Sequence, residues 1–300
     1  MSIINACNIT KDYGQGKGIF DVSIDVKKGE TFGFLGPNGA GKTTTIRNLM
    51  GFIRPDSGSC SIMGMDCFKE AAAIQSKLGY LAGEIAFFDD MTGKQLIQFL
   101  AKMKGVTGVR DKNRMMELME MFELDPRGKV RKMSKGMKQK VGIIVAFMND
   151  PEVIILDEPT SGLDPLMQNR FIDLVLEEKK KGKTILLSSH IFEEVERTCD
   201  RTAIIRAGRI VALEDMESLG KKKQKTYIVT FDSLESAEKV VKDTKGLTIE
   251  KTEGKKIFVR SKGDVNAFLQ KIGQYPIKDL DIRTQSLEEI FMHYYGREEK

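Results

Sequence analysis

The chain has 300 residues, 41% hydrophobic and 30% charged, with no tryptophan; that make-up suits a globular protein with a sizeable core and excludes disordered and fibrous classes. Its longest apolar stretches, such as 141–148, interrupted by Gly142, fall far short of the roughly 18 to 20 residues that a bilayer-spanning helix needs. A net charge of +5 is modest, and the densest basic run, Lys221-Lys222-Lys223-Gln224-Lys225 beside Gly220, has no interleaved aromatics on which bases could stack, so it reads as a solvated linker and no nucleic acid is expected.

The opening Met1-Ser2-Ile3-Ile4-Asn5 has neither the basic start nor the apolar core of a secretory signal, and a cytoplasmic location is expected. Cys7, Cys60, Cys67 and Cys199 lack the paired two-residue spacing of zinc sites and read as free thiols. Alternation of Phe20, Val22, Ile24 and Val26 predicts a half-buried strand, and 31–35 predicts a short apolar strand that enters a glycine-rich turn. A helix is expected over 42–50. Strand, glycine loop and helix in that order open an α/β nucleotide-binding core. From Thr92 to about Phe147 helical periodicity dominates, as at Leu96, Phe99, Leu100 and Met103, and the methionine-rich amphipathic stretches there read as core filler. Short apolar strands return at 153–156 and 184–187 around a helix at 166–180, a β-α-β unit with a parallel crossover. After Gly220 the pattern predicts a strand at 226–231, a helix at 234–242 and a hairpin around Glu253-Gly254. A helix at 265–272, a strand at 277–282 and a closing helix at 287–295 complete it. That order, β-α-β-β-α-β, predicts a small ferredoxin-like domain with an added C-terminal helix.

Two segments carry chemistry on their own. Gly36-Pro37-Asn38-Gly39-Ala40-Gly41-Lys42-Thr43, followed by Thr44, matches the phosphate-binding loop pattern in full, at the strand-to-helix position that the loop requires. Its glycines let successive N–H groups and the helix N-terminus face a phosphate, Lys42 reaches the β- and γ-phosphates, and Thr43 offers a hydroxyl to magnesium. About 115 residues on, the apolar run 153–156 ends in Asp157-Glu158. Asp157 suits a magnesium shell, and Glu158 is placed to act as general base toward the attacking water.

Met133-Ser134-Lys135-Gly136-Met137-Lys138-Gln139-Lys140 resembles the signature motif of ABC ATPases, and His190 after Leu186-Leu187-Ser188-Ser189 resembles their switch histidine. The resemblance covers residues 1–220. It implies a P-loop ABC cassette of α/β class over 1–220, a RecA-like core with a helical subdomain over about 86–150, to which the element order after Gly220 adds a small α+β domain over 221–300. It also implies ATP with Mg2+, hydrolysis through Lys42, Glu158 and His190, and head-to-tail pairing of two cassettes, as a homodimer or with a paralogous ATPase. In that pairing Ser134 and Gly136 complete the ATP site of the other copy, Asp164 links the two sites, and Tyr13 stacks on adenine; a packing role for Tyr13 is the alternative. The implied partner is a multi-spanning membrane permease, with this chain peripheral on the cytoplasmic face of the membrane. The ending Ser286-Leu287-Glu288-Glu289-Ile290-Phe291 resembles extensions of ABC ATPases that serve small separate permeases, mostly bacterial exporters. Two departures stand out. Lys135 and Met137 replace a common glycine and glutamine, and Gly83 stands where the family usually has a magnesium-touching glutamine, which leaves Glu84 or water as the substitute.

Overall fold

β-Branched residues over the first 27 positions build two long strands, β1 (Ser2–Asp12) and β2 (Gly18–Lys27), paired antiparallel. In this computed structural model, which describes residues 1–106, 108–243, 248–261 and 265–295, the alternation of β2 departs from the sequence expectation. Asp21 is left-handed (φ 57°), and the ladder shifts register between Ile9 and Lys11. Ile19, not Phe20, therefore joins Val22, Ile24 and Val26 in the buried set, because one extra residue moves every side chain before it to the other face. Register shifts also interrupt β1, and Asn8 is left-handed, which explains why that strand leaves no period-two signature in the sequence.

The following elements are β3 (Thr31–Leu35), α1 (Lys42–Leu49), β4 (Ser57–Ile62), β5 (Met65–Asp66), α2 (Ala71–Lys77) and β6 (Leu78–Leu81). Then come α3 (Gly93–Met103), α4 (Val109–Met121), α5 (Lys135–Phe147), β7 (Val153–Asp157), α6 (Pro165–Lys180), β8 (Thr184–Ser189), α7 (Phe192–Thr198), β9 (Arg201–Arg206) and β10 (Arg209–Asp215). One sheet runs β10-β9-β3-β8-β7-β6, parallel except for β10. All residues of β3, β7 and β8 are buried, the continuous apolar pattern of central parallel strands. The second sheet, β2-β1-β4-β5, shares a core with it, in which Ile4, Ile9 and Val26 pack with Phe32, Phe34, Ile46, Ile155 and Leu186. Burying each such side chain contributes about 1.5–3 kcal/mol.

In the helical segment α3 starts on a capping box between Thr92 and Gln95, which satisfies orphan N–H groups at its N-terminus. Leu96, Ile97, Leu118 and Phe122 are buried there. The reading of the methionines as core filler is corrected: Met133 and Met148 are buried, but Met103 is 71% and Met116 54% exposed. Met115, Met116 and Met119 line an open groove with Ile97 and Leu124, because α4 carries a single buried residue, Leu118.

The chain divides into two compact units, Met1–Met216 and Glu217–Lys300. In the second, α8 (Met216–Lys222), β11 (Lys225–Phe231), α9 (Leu234–Asp243) and β12 (Thr248–Glu253) are followed by β13 (Lys256–Ser261), α10 (Val265–Ile272), β14 (Ile277–Thr284) and α11 (Leu287–Tyr295). The sheet order is β12-β13-β11-β14 with every neighbour antiparallel, so the two β-α-β crossovers interleave as in split β-α-β folds. Tyr227, Val229, Phe231, Val240, Val259 and Phe268 lie in its core. The lysine run is not a linker throughout: 221–222 close α8 and Lys225 opens β11, while the side chains of Lys221 and Lys222 lie outside the described residues.

Candidate active site

The strand order β3-β8-β7 puts three strand ends side by side at the C-terminal edge of a parallel sheet, the usual position of ligand crevices in α/β folds. The phosphate loop leaves β3 at Gly36, whose N–H donates to the Ser189 carbonyl at 3.3 Å. A Cβ on Gly36 would lie 2.4 Å from the Ile205 carbonyl oxygen, so that position accepts no side chain. Gly41 takes φ 111° and starts α1, which has no side-chain cap and no acidic residue in its first turn. Its N-terminal N–H groups and dipole are thus left for an anion. Asn38, Gly39, Gly41, Lys42, Thr43 and Thr44 line a cavity of about 430 Å³ together with Tyr13 and Glu158, a size that suits a nucleotide. Tyr13 is 57% exposed. Of the remaining loop residues, Gly36 and Pro37 give their carbonyls to Lys42, and Ala40 is buried with its N–H donated to the Pro37 carbonyl.

Lys42 is 5% exposed. Its Nζ donates to the carbonyls of Gly36 (2.6 Å) and Pro37 (3.1 Å) and forms an ion pair with Glu158 Oε1 at 3.0 Å, an oxygen that has no hydrogen-bond partner among the described residues. Glu158 itself is left-handed, φ 48°, a conformation that costs a non-glycine residue about 1–2 kcal/mol. The turn is held by its N–H donating to the Ser188 carbonyl at 3.1 Å. It turns the carboxylate out of the β7 direction, so that Oε2 meets His190 Nδ1 at 2.5 Å. One carboxylate is thereby fixed between a buried ammonium and a half-exposed imidazole, and an acceptor so oriented can take a proton from water.

Asp157 is fully buried at the end of β7. Its Oδ1 accepts from Ser188 Oγ at 2.5 Å, and Oδ2 is buried with no hydrogen-bond partner among the described residues. An unpartnered buried carboxylate oxygen is costly, and a hard divalent cation removes that cost. Asp157 with Thr43 therefore fits Mg2+, which is held by one or two carboxylates and hydroxyls plus phosphate oxygens and water. Gly83 lies against this oxygen, since a Cβ there would be 3.0 Å from Oδ2, whereas Glu84 is exposed.

Ser134, Gly136 and Asp164 are not among the residues that line the cavity. Ser134 is the exposed N-cap of α5 and accepts from the Met137 N–H at 3.2 Å. Asp164 caps α6 in the same way, ahead of Pro165. The two caps belong to adjoining segments, since Lys135 Nζ donates to Ser161 Oγ at 2.7 Å and a Cβ on Gly136 would lie 2.6 Å from the Gly162 carbonyl. Sequence reasoning overlooked Gln139 and Ser188. Gln139 is 2% exposed and donates to the carbonyls of Glu158 (3.2 Å) and Pro159 (2.7 Å), which ties the signature helix to the turn that carries Glu158. The one signal for it was an amide two residues before a long apolar run.

A family model described as ABC transporter matches residues 19–161, and a second, described as AAA domain, putative AbiEii toxin, Type IV TA system, matches 128–196. The linearmycin resistance ATP-binding protein LnrL of Bacillus subtilis (strain 168) is 39% identical over 213 residues, 70% of this chain and 68% of that protein. The daunorubicin resistance ATP-binding protein DrrA3 of Streptomyces coeruleorubidus is 30% identical over 298 residues, 95% and 93% of the two chains. A solved ATP binding subunit of an ABC transporter superposes with a TM-score of 0.68 at 30% identity, over 74% of this chain and 93% of the other.

Proposed function

The chain belongs to the ATP-binding subunits of ABC transporters and is an ATPase, and from that premise we propose that it drives a separate multi-spanning permease from the cytoplasmic face of the membrane, in the direction of export. The observation that carries the catalytic part is the convergence of Lys42 and His190 on the two oxygens of Glu158 at the wall of the phosphate cavity. ATP enters with its phosphates toward the α1 N-terminus and Lys42, and Tyr13 stacks on the adenine. Glu158, held by His190, takes the proton of the attacking water, and Lys42 stabilises charge on the phosphoryl oxygens. Thr43 and Asp157 hold Mg2+, which neutralises developing phosphate charge when bound.

A second cassette, identical or paralogous, completes each site through Ser134 and Gly136, with Asp164 between the sites. The uncapped, anion-ready α1 terminus on one copy and the exposed N-terminus of α5 on the other are both suited to phosphate oxygens. Hydrolysis removes the γ-phosphate that both surfaces contact, and the pair reopens. A separate permease is supported by the finding that no helix among the described residues is long and apolar enough to cross a membrane. Export is supported by relatives named for resistance to linearmycin and daunorubicin.

The test is a pull-down of the tagged Glu158→Gln chain with ATP from gently solubilised host membranes. Recovery of one multi-spanning protein is expected. Recovery of ribosomes or DNA in its place overturns the membrane role.

A further inference from the structure

Glu194 sits on α7, four residues after His190, and is 3% exposed. It is not among the residues that line the phosphate cavity, and nothing in the catalytic scheme above uses it. A buried carboxyl is expensive unless its oxygens are engaged, and the partners of this one are specific. Ser189 Oγ donates to Glu194 Oε2 at 2.5 Å. The same hydroxyl oxygen accepts the Ile191 N–H at 2.9 Å, and the Ser189 carbonyl accepts the N–H of Gly36. His190 is therefore flanked on both sides by backbone fixed through one buried hydroxyl, whose proton is committed to Glu194. The other carboxyl oxygen, Oε1, is buried with no hydrogen-bond partner among the described residues, so the hold of Glu194 on the His190 turn runs through the Ser189 hydroxyl.

We infer that Glu194 is a positioning residue for ATP hydrolysis: through Ser189 it sets the His190 turn so that the imidazole meets Glu158. The inference rests on the roles of Glu158 and His190 given above. Burial pushes the Glu194 carboxyl up to about 7, Ser189 and Thr160 pull it down, and the negative charge of Glu158 raises it; that proximity agrees with the hydrogen-bond geometry. The side chain that would be neutral in packing terms at this position is an apolar one, as at the neighbouring Val195.

The test uses the full chain with Mg2+ and ATP, with kcat and KM measured beside ATP affinity from equilibrium titration, and a thermal melt as the fold control. Glu194→Ala is expected to lower kcat roughly tenfold or more with ATP affinity changed less than about twofold, while Glu194→Gln, whose carbonyl still accepts from Ser189, keeps most of the rate. In a His190→Ala background the same Glu194→Ala change should cost less than about twofold, the non-additivity expected of residues that act as one unit. Ser189→Ala repeats the comparison with a smaller perturbation and decides the matter if Glu194→Ala fails to fold. An unchanged kcat in both variants overturns the inference. So does an equal loss in both backgrounds, which marks a role in folding alone. If His190→Ala and Glu158→Gln themselves leave kcat intact, the catalytic reading fails, and this inference with it; intact sensitivity at those two positions isolates a failure at Glu194.

Discussion

Glu158→Gln separates two consequences of one carboxylate. The side chain is 17% exposed, with Oε1 3.0 Å from Lys42 Nζ and Oε2 2.5 Å from His190 Nδ1, and glutamine keeps its volume while removing the charge and the basicity. A general base is worth about 10²–10⁴ in rate, or about 2.7–5.5 kcal/mol of barrier at 1.36 kcal/mol per decade, so kcat should fall by that factor. ATP affinity should move the other way. The phosphates arrive at the ammonium that Glu158 now contacts, and a like charge removed within about 6 Å, at an effective dielectric between about 20 and 80, is worth about 0.7–2.8 kcal/mol. The Kd for ATP should therefore tighten by about three- to a hundredfold. Single-turnover hydrolysis measures the first quantity and equilibrium titration the second. A kcat within tenfold of the natural protein refutes the base assignment. Weaker ATP binding refutes the electrostatic argument and makes Glu158 a support for the phosphate loop.

Three further outcomes follow from the geometry. Glu194 is raised from 4.5 to about 7, so the folded state holds this proton more tightly than the unfolded one; the stability it contributes is complete below pH 4.5 and is lost as pH rises through 7. Glu194→Gln, which does not titrate, should thus be more stable than the natural protein at pH 8 by up to about 3 kcal/mol, with the gap shrinking toward pH 5; urea unfolding that shows no such trend contradicts the buried-carboxyl argument. Gly36→Ala puts a Cβ 2.4 Å from the Ile205 carbonyl oxygen, backbone that no rotamer can clear, so about 1–3 kcal/mol of stability and most ATP binding should be lost, and an unchanged melting temperature would count against it. Gln139→Met leaves the Pro159 carbonyl without its buried donor, while the Glu158 carbonyl keeps the Ser161 N–H, at a cost of about 1–3 kcal/mol; equal melting temperatures and equal ATPase rates would show the link to be dispensable.

Chemistry held in contiguous residues is legible from the order of those residues alone. The loop 36–44 is one run of backbone that folds back on itself, and its spacing of glycines, Lys42 and Thr43 is dictated locally by the shape of a phosphate. The paired carboxylates of Asp157-Glu158 are equally readable as charges at the end of an apolar strand. Local pattern fails where a single residue changes the phase. The left-handed Asp21 exchanges Phe20 for Ile19 in the core, and the helical period of α4 does not reveal that Met115, Met116 and Met119 line an open groove.

The sequence by itself thus determined the nucleotide chemistry of this chain and the order of its elements. The tertiary structure decided how the parts meet. β8 inserts between β3 and β7 although it follows both in the chain, and that strand order alone brings His190 and Ser188 against Glu158 and Asp157, beside Lys42. Gln139 gains its partners in the same way, across 19 and 20 residues, whereas Glu194 meets Ser189 only five residues away. A polar side chain in an apolar surrounding announces a cost in sequence, but its partner is chosen by sheet order and helix packing, which act between residues that no local pattern connects.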